Sequence, residues 1–132
     1  MQCFAPGTLF ATCDDAMKVY FDGVIQFQDN NWSGMSQQWQ ATKELMIPTA
    51  TKVLGIECAD FGGNNGILAS SADGLVTDGS WLCSTNQNLE GWAQPGFVDT
   101  GGDFSAASTS ASNLGPSAVA DRFIYEIFVK KS

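Results

Sequence analysis

Two pairs of polar side chains could form an oxygen-ligated cation site. Asp14 and Asp15 are adjacent at the opening of a strand-like segment, and Asp60 and Asn64 follow the end of another. A hard cation such as Ca²⁺ takes about six to eight oxygen ligands, and adjacent carboxylates with backbone carbonyls can begin such a cage. The alternative is turn chemistry, in which Asp14 accepts backbone N–H groups and Asp15 is solvated. The residue types therefore predict either a ligand-binding rim or ordinary polar strand ends.

Four tryptophans are candidate platforms for the apolar face of a sugar ring. Trp39 and Trp81 lie beside apolar partners in alternating segments and are expected in the core. Trp32 lies in a polar segment rich in side chains that grip hydroxyl groups, and Trp92 is a weaker case of the same kind. Asn31 begins an Asn-Trp-Ser glycosylation sequon, and a glycan there would compete with binding at Trp32.

The composition removes several classes of function. The chain of 132 residues contains no histidine, which excludes Ser-His-Asp and Cys-His nucleophile systems, His-ligated zinc and histidine general bases. It has 14 acidic and 6 basic residues, a net charge of −8, and the bases are scattered. Because nucleic acids and anionic membranes bind concentrated positive charge, neither is an expected partner. No run approaches the ~18 apolar residues of a spanning helix.

The number and spacing of the cysteines indicate the cellular compartment in which the protein is found. No two of the four cysteines form a Cys-x-x-Cys pair of the kind that binds zinc or acts in redox exchange. They are Cys3, Cys13, Cys58 and Cys83. An even count fits two disulfides, for which three connectivities are open, and the alternative is four buried thiols in a cytosolic protein. With the acidic balance and the sequon, the disulfide interpretation predicts a secreted, extracellular protein. Its signal peptide is then expected to be absent from this sequence, because the start lacks a basic leader and an apolar run.

The hydrophobic spacing is that of β-strands. Met17, Val19 and Phe21 alternate with Lys18 and Tyr20, and an Asp-Gly pair at 22–23 supplies the two positive-φ positions of a type I′ hairpin turn. Alternation returns over 39–47, 52–60 and 122–130, and the last segment has apolar residues on both faces, which predicts a central strand.

The remaining segments are short strands, turns and one long loop. Residues 75–77 form a short apolar run between two Asp-Gly turn signals, and 67–69 follow a cluster of glycine and asparagine. Residues 100–120 are rich in glycine, serine and alanine, which predicts a surface loop. The expected architecture is one domain, 1–132, folded as an all-β antiparallel sandwich, with a barrel as the alternative.

Four segments carry motifs of a known kind of module. They read TCDDAMKVYFDG at 12–23, TKVLGIECAD at 51–60, GILA at 66–69 and TDGSW at 77–81. Together they resemble the galactose-binding-domain-like jelly rolls, in the subgroup found in rhamnosidase-associated carbohydrate-binding domains and in repeats of secreted invertebrate proteins. The resemblance covers about residues 8 to 100 and implies a jelly-roll sandwich.

The resemblance also implies residue roles. In such modules the strand opening helps to hold a calcium ion or a pair of sugar hydroxyls, which here would be the work of Asp14 and Asp15. The strand ending at Cys58 is expected to neighbour the hairpin that opens at Asp14, which implies a disulfide between Cys13 and Cys58. Cys3 would then pair with Cys83.

The predicted function is that of a non-enzymatic extracellular carbohydrate-binding module or small lectin, with calcium as the expected cofactor. Its partner would be a carbohydrate or glycoconjugate, and its oligomeric state is open. The expected ligand-binding residues are Asp14, Asp15, Trp32, Asp60 and Asn64, and the expected metal ligands are Asp14, Asp15 and Asp60.

Two other functions compete with this one. An acidic structural or adhesion protein of an extracellular matrix would use its negative charge to contact cations or mineral. A glycoside hydrolase would need a carboxylate pair, such as Asp14 with Asp60. Catalysis is not expected, because a small sandwich leaves little depth for a cleft.

Overall fold

Nine β-strands make up the regular structure of the described residues. The computed structural model describes residues 3–14, 16–29, 42–59, 66–71, 73–86, 89–107 and 125–132. The strands are β1 (Gly7–Asp14), β2 (Ala16–Phe21), β3 (Val24–Gln28), β4 (Lys43–Ile47), β5 (Val53–Ala59), β6 (Gly66–Ser71), β7 (Leu82–Ser84), β8 (Ser105–Ala106) and β9 (Tyr125–Lys131). Within those ranges no helix is long and apolar enough to cross a membrane.

The strands form two antiparallel sheets that face each other. One has the order β4-β1-β6, and the other has the order β3-β2-β5-β9-β7-β8. The core between them draws on both sheets, including Leu9, Ala11, Ile67 and Ala69 from the first and Val19, Leu54, Ile56 and Phe128 from the second. The predicted all-β antiparallel sandwich is confirmed, and the jelly-roll connectivity stays a prediction.

The β2–β3 hairpin forms as its sequence predicts. Its three alternating apolar residues are buried, and Asp22 and Gly23 have φ values of 50° and 83°. The Asp22 carboxylate accepts the backbone N–H groups of Lys52 and Val53, each at 2.9 Å. These bonds tie the turn to the first residue of β5, so a residue chosen for its turn propensity also sets the position of the neighbouring strand.

The predicted central strand is confirmed at β9, which lies between β5 and β7. Four consecutive residues of β9, from Glu126 to Val129, are buried, as is every residue of β5. Trp81 is fully buried as expected, and its indole N–H donates to the Val76 carbonyl at 3.0 Å. Residues 39–41, including Trp39, and residues 122–124 lie outside the described residues.

Strands β1 and β7 form where the alternation predicts no strand, and two short elements also differ from the sequence pattern. The expected strand at 75–77 is a single bridge between Val76 and Ser70. Within the expected surface loop, Ser105 and Ala106 pair with β7, and the buried Ala107 donates its N–H to the Trp81 carbonyl at 2.9 Å. Backbone pairing needs no large apolar side chain, so small residues hide such a strand from periodicity analysis. Residues 108–120 lie outside the described part of the chain.

The predicted disulfide between Cys13 and Cys58 is confirmed. Its Cα atoms are 6.0 Å apart, and both residues are buried. Cys13 belongs to β1 and Cys58 to β5, so the bond joins the two sheets through the core. Strand β1 ends at Asp14, directly after Cys13, and β2 of the other sheet begins at Ala16.

The expected pairing of Cys3 with Cys83 is wrong. Cys3 is an exposed thiol and Cys83 a half-buried one. Cys83 lies opposite Phe128, three residues or about 10 Å before the end of β9. Cys3 lies beyond that end, since the next residue, Phe4, donates its N–H to the Thr51 carbonyl. A disulfide needs Cα atoms within about 7 Å, and elimination among cysteines ignores this requirement.

Loss of the disulfide should lower the free energy of unfolding far more than loss of an exposed thiol does. The bond closes a loop with a sequence separation of 45, and the chain-entropy model gives about 4 kcal/mol for a loop of that length. We expect Cys13→Ala with Cys58→Ala to lower the free energy of unfolding by about that amount in guanidinium titrations. Cys3→Ser is the control and should unfold as the wild type does. Equal midpoints for the two variants would contradict a structural role for this bond.

Candidate functional site

Most of the predicted rim lies outside the described residues. This applies to Asp15, Trp32, Asp60 and Asn64, and to the sequon at Asn31. For Asp14 only the backbone is placed, at the end of β1 opposite Gly66. Among the residues the structure describes, no group of three or more Cys, Asp or Glu side chains is arranged to hold a metal ion. The calcium and sugar roles of the rim remain predictions.

One carboxylate near that end is occupied by the fold itself. Asp29 is buried, and its carboxylate accepts the Met17 N–H at 2.7 Å while its own N–H donates to the Met17 carbonyl at 3.0 Å. Burial raises its pKa above the ordinary value of 3.8, although the bond from Met17 and the charge of Lys43 act in the opposite direction. Asp29 therefore extends the pairing of β2 beyond β3, a role its place in a polar segment did not suggest.

A second group of side chains lies on the outer face of the six-stranded sheet, away from the core. Tyr20 of β2 is directly opposite Gly55 of β5. Trp92 packs where Gly55 has no side chain, because a Cβ at Gly55 would come within 2.8 Å of the indole ring. The Tyr20 and Trp92 rings meet edge to face, with centroids 5.3 Å apart and planes at 75°. A glycine in the middle of a buried strand thus creates the seat for an aromatic side chain.

The Tyr20 hydroxyl is fixed by a carboxylate. It donates to Glu57 Oε1, and Glu57 is itself opposite Lys18 in the sheet register. Burial raises the pKa of Tyr20 well above its ordinary value, and the hydrogen bond to Glu57 and its negative charge act in the same direction. The phenol therefore stays protonated at physiological pH. It holds its ring in one orientation beside Trp92.

The hairpin turn and the segment carrying Trp92 enclose a small cleft of about 150 Å³. Tyr20 and Trp92 form its aromatic side, and Gly23 and the exposed Gln94 form its polar side. Gly23 has a positive φ, and a Cβ there would lie 2.5 Å from Gln94 Cγ. Only glycine therefore permits both this turn and this position of the Gln94 side chain.

The segment that carries Trp92 is braced by its own hydrogen bonds. The Gln94 N–H donates to the Gly91 carbonyl at 3.0 Å, and Ala93 is buried. Farther along, the Asp99 carboxylate accepts the N–H groups of Asp103 and Phe104, each at 2.9 Å. These bonds lower the pKa of Asp99, so it stays ionised and holds its loop closed. The cleft is thus supported by an ordered loop.

The cleft combines an aromatic surface, a planar amide and exposed backbone, which are groups that bind a small polyol. The described residues that line it include no pair of carboxylates facing one another across a gap, the arrangement used in glycoside hydrolysis. The sequence pattern indicates Trp92 as a weaker platform but misses Tyr20 and Gln94. The one available signal is glycine at position 55, which interrupts the apolar run from Val53 to Ile56.

Substitutions of Asp29 should separate the contribution of its hydrogen bond to stability from the contribution of its charge. Asp29→Ala leaves the Met17 N–H without its acceptor, which we expect to cost about 1–3 kcal/mol in unfolding free energy. Asp29→Asn keeps an acceptor oxygen. Because the folded pKa is raised, the wild-type carboxyl favours folding less as pH rises from 3.8 through the folded pKa.

The stability of the Asp29→Asn variant relative to wild type should accordingly increase across that pH window and be level below it. Urea titrations at a series of pH values measure this difference. A difference that is constant with pH, or that falls as pH rises, would contradict the raised pKa.

Comparisons of the chain with protein-family models, curated proteins and solved structures find no match. The assignment of a sandwich rests on the strands and sheets of the structure alone. The resemblance to galactose-binding-domain-like modules stays a prediction.

Proposed function

We propose that the protein is a non-catalytic carbohydrate-binding module that binds a neutral sugar in the cleft between Tyr20, Trp92 and Gln94. The observation that carries the proposal is the half-buried indole of Trp92, held against Gly55 and Tyr20 beside an exposed amide. The apolar C–H face of a pyranose packs on an aromatic ring, and a planar amide donates to and accepts from adjacent hydroxyls. A ring-and-amide pair of this kind suits a polyol ligand.

The charge of the protein favours neutral over acidic sugars. The chain has a net charge of −8, and the Glu57 carboxylate accepts a hydrogen bond from Tyr20, which lines the cleft. No basic side chain is among the described residues that line the cleft. The net charge of the chain would therefore disfavour a uronate or sialic acid, which would find no cation to pair with among those lining residues.

The cleft is small and open, so binding of one sugar is expected to be weak. It buries little of a pyranose, and a Kd on the order of 1 mM corresponds to only about 4 kcal/mol of binding free energy. Useful avidity would come from several copies on one surface. The acidic structural or adhesion protein remains the alternative, and it would have no sugar specificity.

The described end of β5, which leads into the predicted acidic rim, is away from the cleft. The cleft is at Gly55, and Asp60 follows the end of β5, four residues or about 13 Å farther along the strand from Gly55 to Ala59. A monosaccharide on Trp92 does not span that distance. A calcium ion at Asp14, Asp15 and Asp60 would therefore act independently of the cleft.

Removal of the Trp92 indole should abolish sugar binding. Calorimetric titration with methyl glycosides of galactose, glucose, mannose and rhamnose is expected to detect weak binding to the wild type and none to Trp92→Ala. Phe10→Ala is the control, because Phe10 is an exposed aromatic residue on the outside of the other sheet. The matching uronates should not bind. If no neutral glycoside binds the wild type, or if Phe10→Ala has the same effect as Trp92→Ala, the proposal fails and the structural alternative replaces it.

Alanine substitutions at two glycines test, in the same titration, whether the position of Gln94 matters for sugar binding. Gly23 and Gly102 both have positive φ, but an added Cβ meets Gln94 at Gly23 and nothing within 4 Å at Gly102. Alanine at either position carries similar backbone strain of about 1–2 kcal/mol. We expect only Gly23→Ala to lose sugar binding.

Calcium should stabilise the folded protein if the acidic rim binds it. A ligand specific for the native state adds about 2.7 kcal/mol at a hundredfold excess over its Kd. Thermal unfolding of the wild type is expected to shift upward with calcium and back with chelator, and Asp14→Asn with Asp60→Asn should remove the shift. Glu44→Gln serves as the control for an exposed acid elsewhere. Melting curves indifferent to calcium and chelator would contradict the calcium site.

A further inference from the structure

A larger cleft lies at the other end of the sandwich from the disulfide. It has a volume of about 280 Å³ and is lined by Phe4, Ile47 and Leu75 on its apolar side and by Cys3, Ser71 and Asp73 on its polar side. Ile47 ends β4 and is paired with Gly7 at the start of β1, whereas Cys13 is near the end of β1. About six residues of strand, or 20 Å, separate the cleft from the disulfide.

The apolar side of this cleft is part of the core. Ile47 is 2% exposed, and Phe4 and Leu75 are partly buried and pack against the residues between the sheets. The cleft therefore opens between the edges of the two sheets. A ring or short aliphatic chain placed there would contact apolar carbon on several sides.

The two walls are held by backbone hydrogen bonds. The Phe4 N–H donates to the Thr51 carbonyl at 2.8 Å, which fixes the N-terminal segment along the start of β5. On the opposite wall, the Ser71 N–H donates to the Leu75 carbonyl at 3.0 Å, and the Gly74 N–H donates to the Ser71 carbonyl at 3.2 Å. This tight turn, with Gly74 at a φ of 87°, presents Asp73 at the rim.

The side chains that line the cleft carry charge of one sign. Asp73 is acidic, and none of the described residues at the cleft has a basic side chain. Asp73 is exposed, so its charge is available to a ligand at the mouth. The net charge of −8 adds to the attraction for a cation and opposes an anion.

We infer that this cleft binds a small organic ammonium ion, with its apolar group against Phe4, Ile47 and Leu75 and its ammonium beside Asp73. The volume suits a single ring with a short tether, since an apolar cavity of about 150 Å³ accommodates benzene. The site is distinct from the Trp92 cleft in both place and ligand, so neither proposal depends on the other.

The phenethylammonium ion is the probe that tests this inference, and phenylacetate is its anionic match. Titrations followed by the amide NMR signals of Ile47 and Leu75 are expected to saturate with the ammonium ion and to show no change with phenylacetate. The same ligand should slow alkylation of the Cys3 thiol by iodoacetamide, because Cys3 is at the rim. Alkylation of Cys83, located by peptide mass spectrometry, should be unaffected.

Two variants with the same change of charge complete the test. Asp73→Asn should raise the Kd for phenethylammonium by about tenfold or more, which corresponds to about 1.4 kcal/mol. Glu44→Gln, in an exposed position on β4, should leave the Kd unchanged. Both positions are exposed, so neither variant is expected to unfold. Equal binding of phenylacetate, equal affinity of the two variants, or the absence of a saturable shift in the wild type would each overturn the proposal.

Discussion

The disulfide between Cys13 and Cys58 is the constraint on which the sandwich depends. It joins strands β1 and β5 of opposite sheets inside the core, next to the place where the chain leaves one sheet and enters the other. A short connection alone would let the sheets open like a hinge. With the covalent bond beside it, the sheets are joined at this end both by the chain and by a disulfide. The larger cleft, beside Ile47 and Leu75, lies at the other end.

The outer face of the six-stranded sheet is organised by a different principle. Central strands β5 and β9 are buried on both faces, and in the described part of the chain three strands cover the sheet on one side. On the other side, cover comes from the loop that carries Trp92 and Ala93. The absence of a side chain at Gly55 lets that loop approach the backbone closely. A loop covers less area than a sheet does, and Tyr20 and Trp92 are accordingly only half buried.

Three of the described carboxylates hold the backbone in place. Asp22 fixes a hairpin to β5, Asp29 extends β2, and Asp99 closes the loop beyond Trp92. Each accepts a hydrogen bond from backbone N–H, and such a bond is stronger when the acceptor is charged than when it is neutral. An aspartate in a turn-rich segment is therefore poor evidence for a metal site unless its hydrogen-bond partners are known. Asp73 differs because it lies at the rim of a cleft.

The sequence alone determined the β2–β3 hairpin and the central strand β9 and, with the other alternating segments, the fold class. Alternation at Met17, Val19 and Phe21, an Asp-Gly turn and the doubly apolar β9 all depend on neighbours along the chain, and these were predicted correctly. The resemblance to a known module also supplied the Cys13–Cys58 bond. What only the tertiary structure decided was contact between distant segments: the edge-to-face packing of Tyr20 on Trp92, the bond from Met17 to Asp29, and the separation of Cys3 from Cys83. No periodicity encodes such contacts, because they depend on which strands become neighbours and on which side a loop crosses a sheet.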